Sequence, residues 1–315
     1  VEGRTTHMHS YWWKHRRASS YLTIVYFRAK LGSSSTAQCS MAASYAPVKT
    51  VLVTGANAGI GLETCRQLAH IESISKVILG CRSQSKADEA VQKLVQETGK
   101  PASLFGTVII DTASNQSVIN AVEHLQEPIE GLICNAGGIG TTPEKRIEES
   151  GALCIFAQNT IGHCVLIEEL IRTKKMPPGG GIIMSVSEQA RGIPELSMAK
   201  PPLIPPGESA THEAHLSGLI DGSKITKFND EAYGSAKGIG GLYMGHMARK
   251  YPSYYFLSVS PGGTSGTNIF SFLGPFGSCL MCVLKCTGQM HTLETGAARY
   301  VDNLMEKEHP SGKFY

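Results

Sequence analysis

The sequence predicts a three-layer α/β/α domain built on a doubly wound parallel sheet, and two patterns carry that reading. Short β-branched runs recur along the body of the chain, apolar at nearly every position, as in strands covered on both faces. Between them lie amphipathic stretches of helical length, and strands alternating with helices assemble into a parallel sheet through right-handed crossovers. The 315 residues are 42% hydrophobic and 17% charged, with 34 glycines. That is an ordinary globular composition, and the length admits one large domain or two small ones.

The first strand is Thr50–Thr54 (TVLVT), followed by an amphipathic helix over Ile60–His70. Lys76–Gly80 is the second strand and Ser85–Glu97 a polar-faced helix. Ser103–Ile110 is the third strand, and Ser114–Gln126 a helix with Val118, Val122 and Leu125 on one face. Gly131–Cys134 is the fourth strand, and a long helix near Ala152–Arg172 leads to the fifth, Gly181–Val186. Segment 188–230 breaks the rhythm, holds five of the 15 prolines and reads as an insertion. A helix over Glu231–Lys250 and a sixth strand, Tyr254–Val259, complete the alternation.

Charge separates a leader from the body. Residues 1–40 carry a net +5 and both tryptophans, whereas residues 41–315 carry a net −2, which removes the basic footprint a nucleic-acid partner requires. The leader is Ser-rich and begins at Val1, with Met41-Ala-Ala-Ser resembling a natural start. It reads either as a transit-like segment or as non-native upstream sequence. It is expected to be disordered, with residues 41–315 forming one domain. The expected location is cytoplasmic, or the plastid if the leader is a genuine transit segment. The nine cysteines are too sparse and odd in number for a disulfide scaffold, and Cys65, Cys81, Cys134, Cys154 and Cys164 in apolar segments suit a reducing compartment. The spacing Cys279-x-x-Cys282-x-x-x-Cys286 lacks a fourth cysteine nearby, so no metal is expected. The apolar run Ile269–Leu284 is short and interrupted by glycine and proline, too little for a membrane span.

Chemistry begins where the first strand ends, at Thr54-Gly55-Ala56-Asn57-Ala58-Gly59-Ile60-Gly61. Glycines between a strand and a helix let the backbone turn sharply and bring a pyrophosphate to the helix N-terminus, as in Rossmann-type sheets. The residues expected to line that cradle are Thr54, Gly55, Asn57, Gly59, Ile60 and Gly61. The second strand ends in Arg82-Ser83, with no acid before Asp88. An acid there would repel a 2′-phosphate, whereas a guanidinium beside a hydroxyl attracts one, which favours NADP(H). Tyr233 and Lys237 stand four apart on a helix and share a face. An ammonium beside the phenol, with a positive nicotinamide ring, is expected to lower its pKa and fit it for proton transfer.

TGANAGIG, Asp111 after the third strand, Asn135-Ala136-Gly137 after the fourth and Tyr233-Gly-Ser-Ala-Lys237 together resemble the short-chain dehydrogenase/reductase family over residues 49–315. The resemblance implies an oxidoreductase that moves hydride between NADP(H) and a hydrophobic carbonyl or alcohol. It assigns catalysis to Asn159, Ser187, Tyr233 and Lys237, with Ser187 aligning better than Ser185. It adds to the cofactor set Asp111, Thr112, Asn135, Ala136, Gly137, Tyr233, Lys237, Pro261, Gly262 and Thr267, with Thr264 as an alternative to Thr267. His163 reads as a packed helix histidine rather than an acid or base.

The insertion, Cys81-Arg82-Ser83 and Ser311-Gly-Lys-Phe-Tyr315 are similar to light-dependent protochlorophyllide reductases and to the retinol-dehydrogenase-like and carbonyl-reductase-like branches. The YGSAK motif departs from the photoenzymes' YKDSK, and no cysteine lies between Cys164 and Cys279. Light-dependent reduction of a C=C bond therefore stands as an alternative to carbonyl chemistry, and non-catalytic NADP(H) sensing as a third reading. Residues 268–290, rich in Phe, Leu and Met, are expected to form a substrate lid. The expected partner is a small hydrophobic molecule, and peripheral membrane contact and a homo-oligomer are both left open.

Overall fold

The computed structural model describes residue 45 and residues 47–140, 142–192, 209–225, 230–264 and 290–315. Six strands, β1 (Thr50–Thr54), β2 (Lys76–Cys81), β3 (Phe105–Ile109), β4 (Gly131–Cys134), β5 (Gly181–Ser185) and β6 (Tyr255–Val259), pair in the order β3-β2-β1-β4-β5-β6. Every ladder is parallel. The order reverses between β1 and β4, and at such a switch point the loops leaving the two strands part and open a crevice.

Helices cover both faces because alternate strand residues demand it. On β1, Val51 and Val53 enter one core and Leu52 the other. The first core is closed by α1 (Gly59–Leu68), α2 (Gln84–Thr98) and α7 (Leu293–Glu306), through Cys65, Leu68, Leu94, Tyr300 and Leu304. The second is closed by α3 (Asn115–His124), α4 (Gly162–Arg172), α5 (Ser209–Ile220) and α6 (Asp230–Lys250), through Val118, Val165, Leu166, Leu216 and Met244. Residues 311–315 run beside β6: Gly312 N–H donates to Phe256 O (2.6 Å), Ser258 N–H to Lys313 O (3.0 Å) and Tyr315 N–H to Ser258 O (2.8 Å). Among the described residues no helix is long and apolar enough to cross a membrane.

The structure departs from the periodicity reading in four places. The third strand starts later, because Ala102–Leu104 form a 3-10 turn behind Pro101. The expected helix over 152–172 is present and runs without a gap from Cys154 to Arg172, but it widens into a π turn over Ala157–Ile161 before α4 begins. The insertion contains a helix, α5. Its prolines all precede Ser209, so the second half is free to be helical, and Leu216, Leu219 and Ile220 bury. The helix α7 was not anticipated, although Thr292 caps it by accepting from Thr295 N–H (3.3 Å) and an apolar stripe follows.

The π turn lies where α4 presses against the loop after β3. A Cβ on Gly162 would collide with the carbonyl oxygen of Thr112, and Thr112 Oγ1 donates to Gln158 O (3.0 Å) from the same loop. Gly162→Ala should therefore destabilise the fold by about 3 kcal/mol, measured by denaturant unfolding. An unchanged midpoint would show that the two backbones are free to separate.

Candidate active site

The crevice above β1 and β4 gathers the residues the motifs single out. Gly55 and Gly59 take left-handed φ values of 66° and 56°, so the chain can double back from β1 into α1. Ile60 and Gly61 lie in the first turn of α1, and Asn57 is half-buried at the tip of the loop. Ala58 is the N-cap and offers no side-chain hydrogen bond, and the first turn holds no acid. The leading amides of α1 therefore have no cap from their own chain, as an anion site requires.

Thr54 occupies a different place from its glycine neighbours. It is wholly buried, and its Oγ1 accepts from Asn135 N–H (3.0 Å) and Ala136 N–H (2.9 Å). Asn135 returns the contact, its Nδ2 donating to Thr54 O (2.9 Å). These two residues lock the turn after β1 to the turn after β4. Asp111 is half-buried and accepts from Ala113 N–H (3.0 Å), while its own N–H donates to Ser117 Oγ (2.9 Å). At the end of β2, Arg82 is exposed and Ser83 is the N-cap of α2 without a side-chain cap bond.

Asn159 sits in the π turn with 1% of its surface exposed. Its Oδ1 accepts from Gly138 N–H (2.9 Å), and its Nδ2 donates to Gly138 O (2.8 Å) and Ile155 O (2.8 Å). Gln158 Nε2 donates to the same Gly138 oxygen (2.8 Å). The side chain of Asn159 is thus committed to shaping the 135–138 turn. Gly137 packs close by: a Cβ there would meet Asn159 Oδ1 and stand 3.4 Å from Lys237 Nζ.

Tyr233 and Lys237 lie on a buried face of α6, at 6% and 3% exposure. Lys237 Nζ donates to Ser185 O (3.0 Å) and lies 5.6 Å from the centroid of the Tyr233 ring. Thr160 Oγ1 donates to Ala236 O (2.6 Å), tying α6 to the π turn. Burial holds the Lys237 ammonium down to about 8. The Tyr233 phenol departs from the sequence expectation, because burial pushes it up instead of the ammonium pulling it down. Lys237 directs its head at a backbone carbonyl, so desolvation governs the phenol.

Ser187 leaves β5 at the mouth of the crevice, half-buried, and accepts from Gln189 N–H (3.3 Å). Ser185 is inside the strand, where its Oγ accepts from Tyr300 OH (2.7 Å). Pro261 and Gly262 form the turn after β6, and Thr264 Oγ1 reaches Pro261 O (3.1 Å) and Gly262 O (3.2 Å). Arg299, which the sequence reading passed over, supports this turn from α7 by donating to Ser260 O (3.2 Å) and His291 Nε2 (3.2 Å). It lies 39 residues away from Ser260, beyond any local pattern. Thr267, the 268–290 lid apart from Met290, and the Cys279–Cys286 triplet lie outside the described residues.

His163 is packed in α4 with no exposed surface. Burial and the nearby Lys237 charge hold its pKa down to about 3, against an ordinary value of 6.5. The folded chain keeps this ring neutral, whereas the unfolded chain protonates it below about pH 6.5, so its contribution to stability is full above that value and is lost as pH falls towards 3. His163→Gln should flatten the decline of unfolding free energy between roughly pH 6 and 4 by about 1.4 kcal/mol per pH unit. An unaltered slope would show that the ring protonates without leaving its place.

The sequence model of the short chain dehydrogenase family matches residues 49–198, just under half of the chain. The chain is 32% identical over 146 residues to the WW domain-containing oxidoreductase of Gallus gallus, covering 45% of this chain and 34% of that protein. It is 31% identical over 150 residues to retinol dehydrogenase 14 of Mus musculus, covering 44% of each. The matches thus span between a third and a half of these curated relatives. Among solved structures, a blue fluorescent protein from a metagenomic library in complex with NADPH superposes with a TM-score of 0.60 at 20% identity, covering 84% of this chain and 94% of that one. Motifs, parallel sheet order and the family match over residues 49–198 agree in pointing to the short-chain dehydrogenase/reductase family.

Proposed function

We propose that the protein is an NADP(H)-dependent oxidoreductase acting on a hydrophobic carbonyl or alcohol, with Tyr233 as the proton-transferring group. The observation that carries this reading is the convergence of Tyr233 and Lys237 with the Asn159-held turn above β1 and β4. A dinucleotide fits the residues present there, since the leading amides of α1 carry no cap and Arg82 stands beside the uncapped start of α2. An exposed guanidinium next to Ser83 suits a 2′-phosphate better than a bare ribose.

The bound cofactor supplies the hydride. The chain's own residues supply the proton and the geometry. Burial keeps the Tyr233 phenol protonated in the chain alone, so the proton needed for the reductive direction is in place, and the Lys237 ammonium with the positive ring of a bound nicotinamide would lower its pKa towards the working range. Lys237 holds ribose hydroxyls and steadies the phenolate that proton donation leaves behind. Ser187, at the mouth, hydrogen-bonds the reacting oxygen. Asn159 and Gln158 hold the 135–138 turn in shape.

The likeness to retinol dehydrogenase 14 supports the carbonyl and alcohol branch over light-dependent C=C reduction, and the apolar sequence of residues 269–284 supports a hydrophobic substrate. Retention of Asn159, Ser187, Tyr233 and Lys237 together supports turnover over sensing alone.

Tyr233→Phe should lower kcat on apolar aldehydes or ketones by about 10²-fold or more with NADPH affinity unchanged. Near-normal turnover would place the acid elsewhere. Arg82→Asp should cost about 1–3 kcal/mol of NADPH affinity and leave NADH binding intact. Equal affinity of the unmodified chain for both cofactors would overturn the phosphate-reading role.

A further inference from the structure

We infer that His163 is a positioning residue, closing a ring of hydrogen bonds that fixes the 135–138 turn to the π turn carrying Asn159. The ring follows from which atoms can donate. His163 Nδ1 lies 3.3 Å from Asn159 O, and a carbonyl oxygen only accepts, so Nδ1 carries the proton. Its Nε2, 3.0 Å from Thr54 Oγ1, is then bare and accepts the threonine hydroxyl. That leaves the lone pairs of Thr54 Oγ1 for Asn135 N–H and Ala136 N–H, which occupy them at 3.0 and 2.9 Å. On the other side, the Asn159 carboxamide grips both polar groups of Gly138. Peptide 135–136, Thr54, His163, Asn159 and Gly138 thus form a circuit that returns to the same turn.

The opposite tautomer would set the Nδ1 lone pair against the Asn159 carbonyl. It would also force the Thr54 proton onto Ile133 O, a longer contact at 3.4 Å. A protonated ring would bring a third donor to Thr54 Oγ1 beside the Lys237 charge. The neutral Nδ1–H form satisfies every buried group at once. No other described residue joins the β1 hydroxyl to the π-turn carbonyl, so the register of Asn159 against Gly138 depends on this imidazole.

The test uses the full chain with His163→Leu, His163→Gln and Thr54→Val. The readouts are NADPH dissociation constants, amide exchange at Asn135, Ala136 and Gly138, and the pH profile of turnover. A glutamine carboxamide presents one N–H and one bare oxygen, as the neutral ring does, so His163→Gln should bind NADPH within about twofold of the unmodified chain. His163→Leu should weaken NADPH by about three- to tenfold and speed exchange at Asn135 and Ala136. Thr54→Val cuts the circuit from its other end and should reproduce that pattern, which keeps the test intact should His163→Leu fail to fold. Unchanged exchange and affinity in both apolar variants would overturn the inference, as would a glutamine variant as impaired as the leucine one. A pH inflection lost in His163→Gln would overturn it too, by making the ring an acid or base. The inference rests on the cofactor reading above only through the affinity arm: if the unmodified chain bound neither NADPH nor NADH that reading would fail, and amide exchange would still decide the role of His163.

Discussion

The carboxamide of Asn159 meets both polar groups of Gly138, and much of the crevice follows from that contact. A turn after a parallel strand has no ladder to hold it, and its backbone polar groups need partners once the crevice closes over them. Asn159 supplies an acceptor and a donor in one plane, from a position buried enough to exclude competing water. It reaches that position from a π turn, a widening found mostly at functional sites because it changes which side chains face inward. Lys237 then packs beside the same turn and finds its own acceptor at Ser185 O. The turn after β4 and the buried face of α6 thus share one support.

Burial acts on the ionisable groups of the crevice in one direction. The Tyr233 phenol is pushed up, the Lys237 ammonium down to about 8, and the His163 imidazole down to about 3. Each shift favours the neutral form, as desolvation always does. At neutral pH Tyr233 and His163 are therefore uncharged, while Lys237 stays mostly protonated and is the fixed charge among the three. Arg82 remains at the rim, in water, where a long-range cation can select an anion without the expense of being buried.

The strands, the glycine turn and the Tyr233–Lys237 pair were legible because each is a local pattern: alternation of period two, a turn between two elements, a spacing of four. Thr54 was legible as a motif residue, yet its buried hydroxyl network with Asn135, Ala136 and His163 spans 81 to 109 residues and leaves no trace in sequence spacing. Arg299 and Tyr300 escaped for the same reason, since each acts on a partner fixed only by tertiary packing. The π turn at Ala157–Ile161 has no local signature in Ala-Gln-Asn-Thr-Ile, and it lies where Gly162 packs against Thr112 of a loop distant in sequence. Residue spacing reveals that a lysine is near Tyr233 and says nothing about how much water the fold removes, which is what raises the phenol in the chain alone.

Residues 312–315 hydrogen-bond along β6, and this has a bearing on how the chain is made. The sheet order places β6 at one margin, and its sequence, Tyr-Phe-Leu-Ser-Val, is the aromatic and β-branched type that pairs readily with any open strand. Among the described residues it is Gly312–Tyr315 that lie along that margin, more than fifty residues after Val259 in the chain. Until those residues are in place, a domain otherwise formed presents an open strand, the kind of edge through which chains misassociate. Residues 312–315 thus act as a seal on β6, and a chain lacking them would carry an adhesive flank.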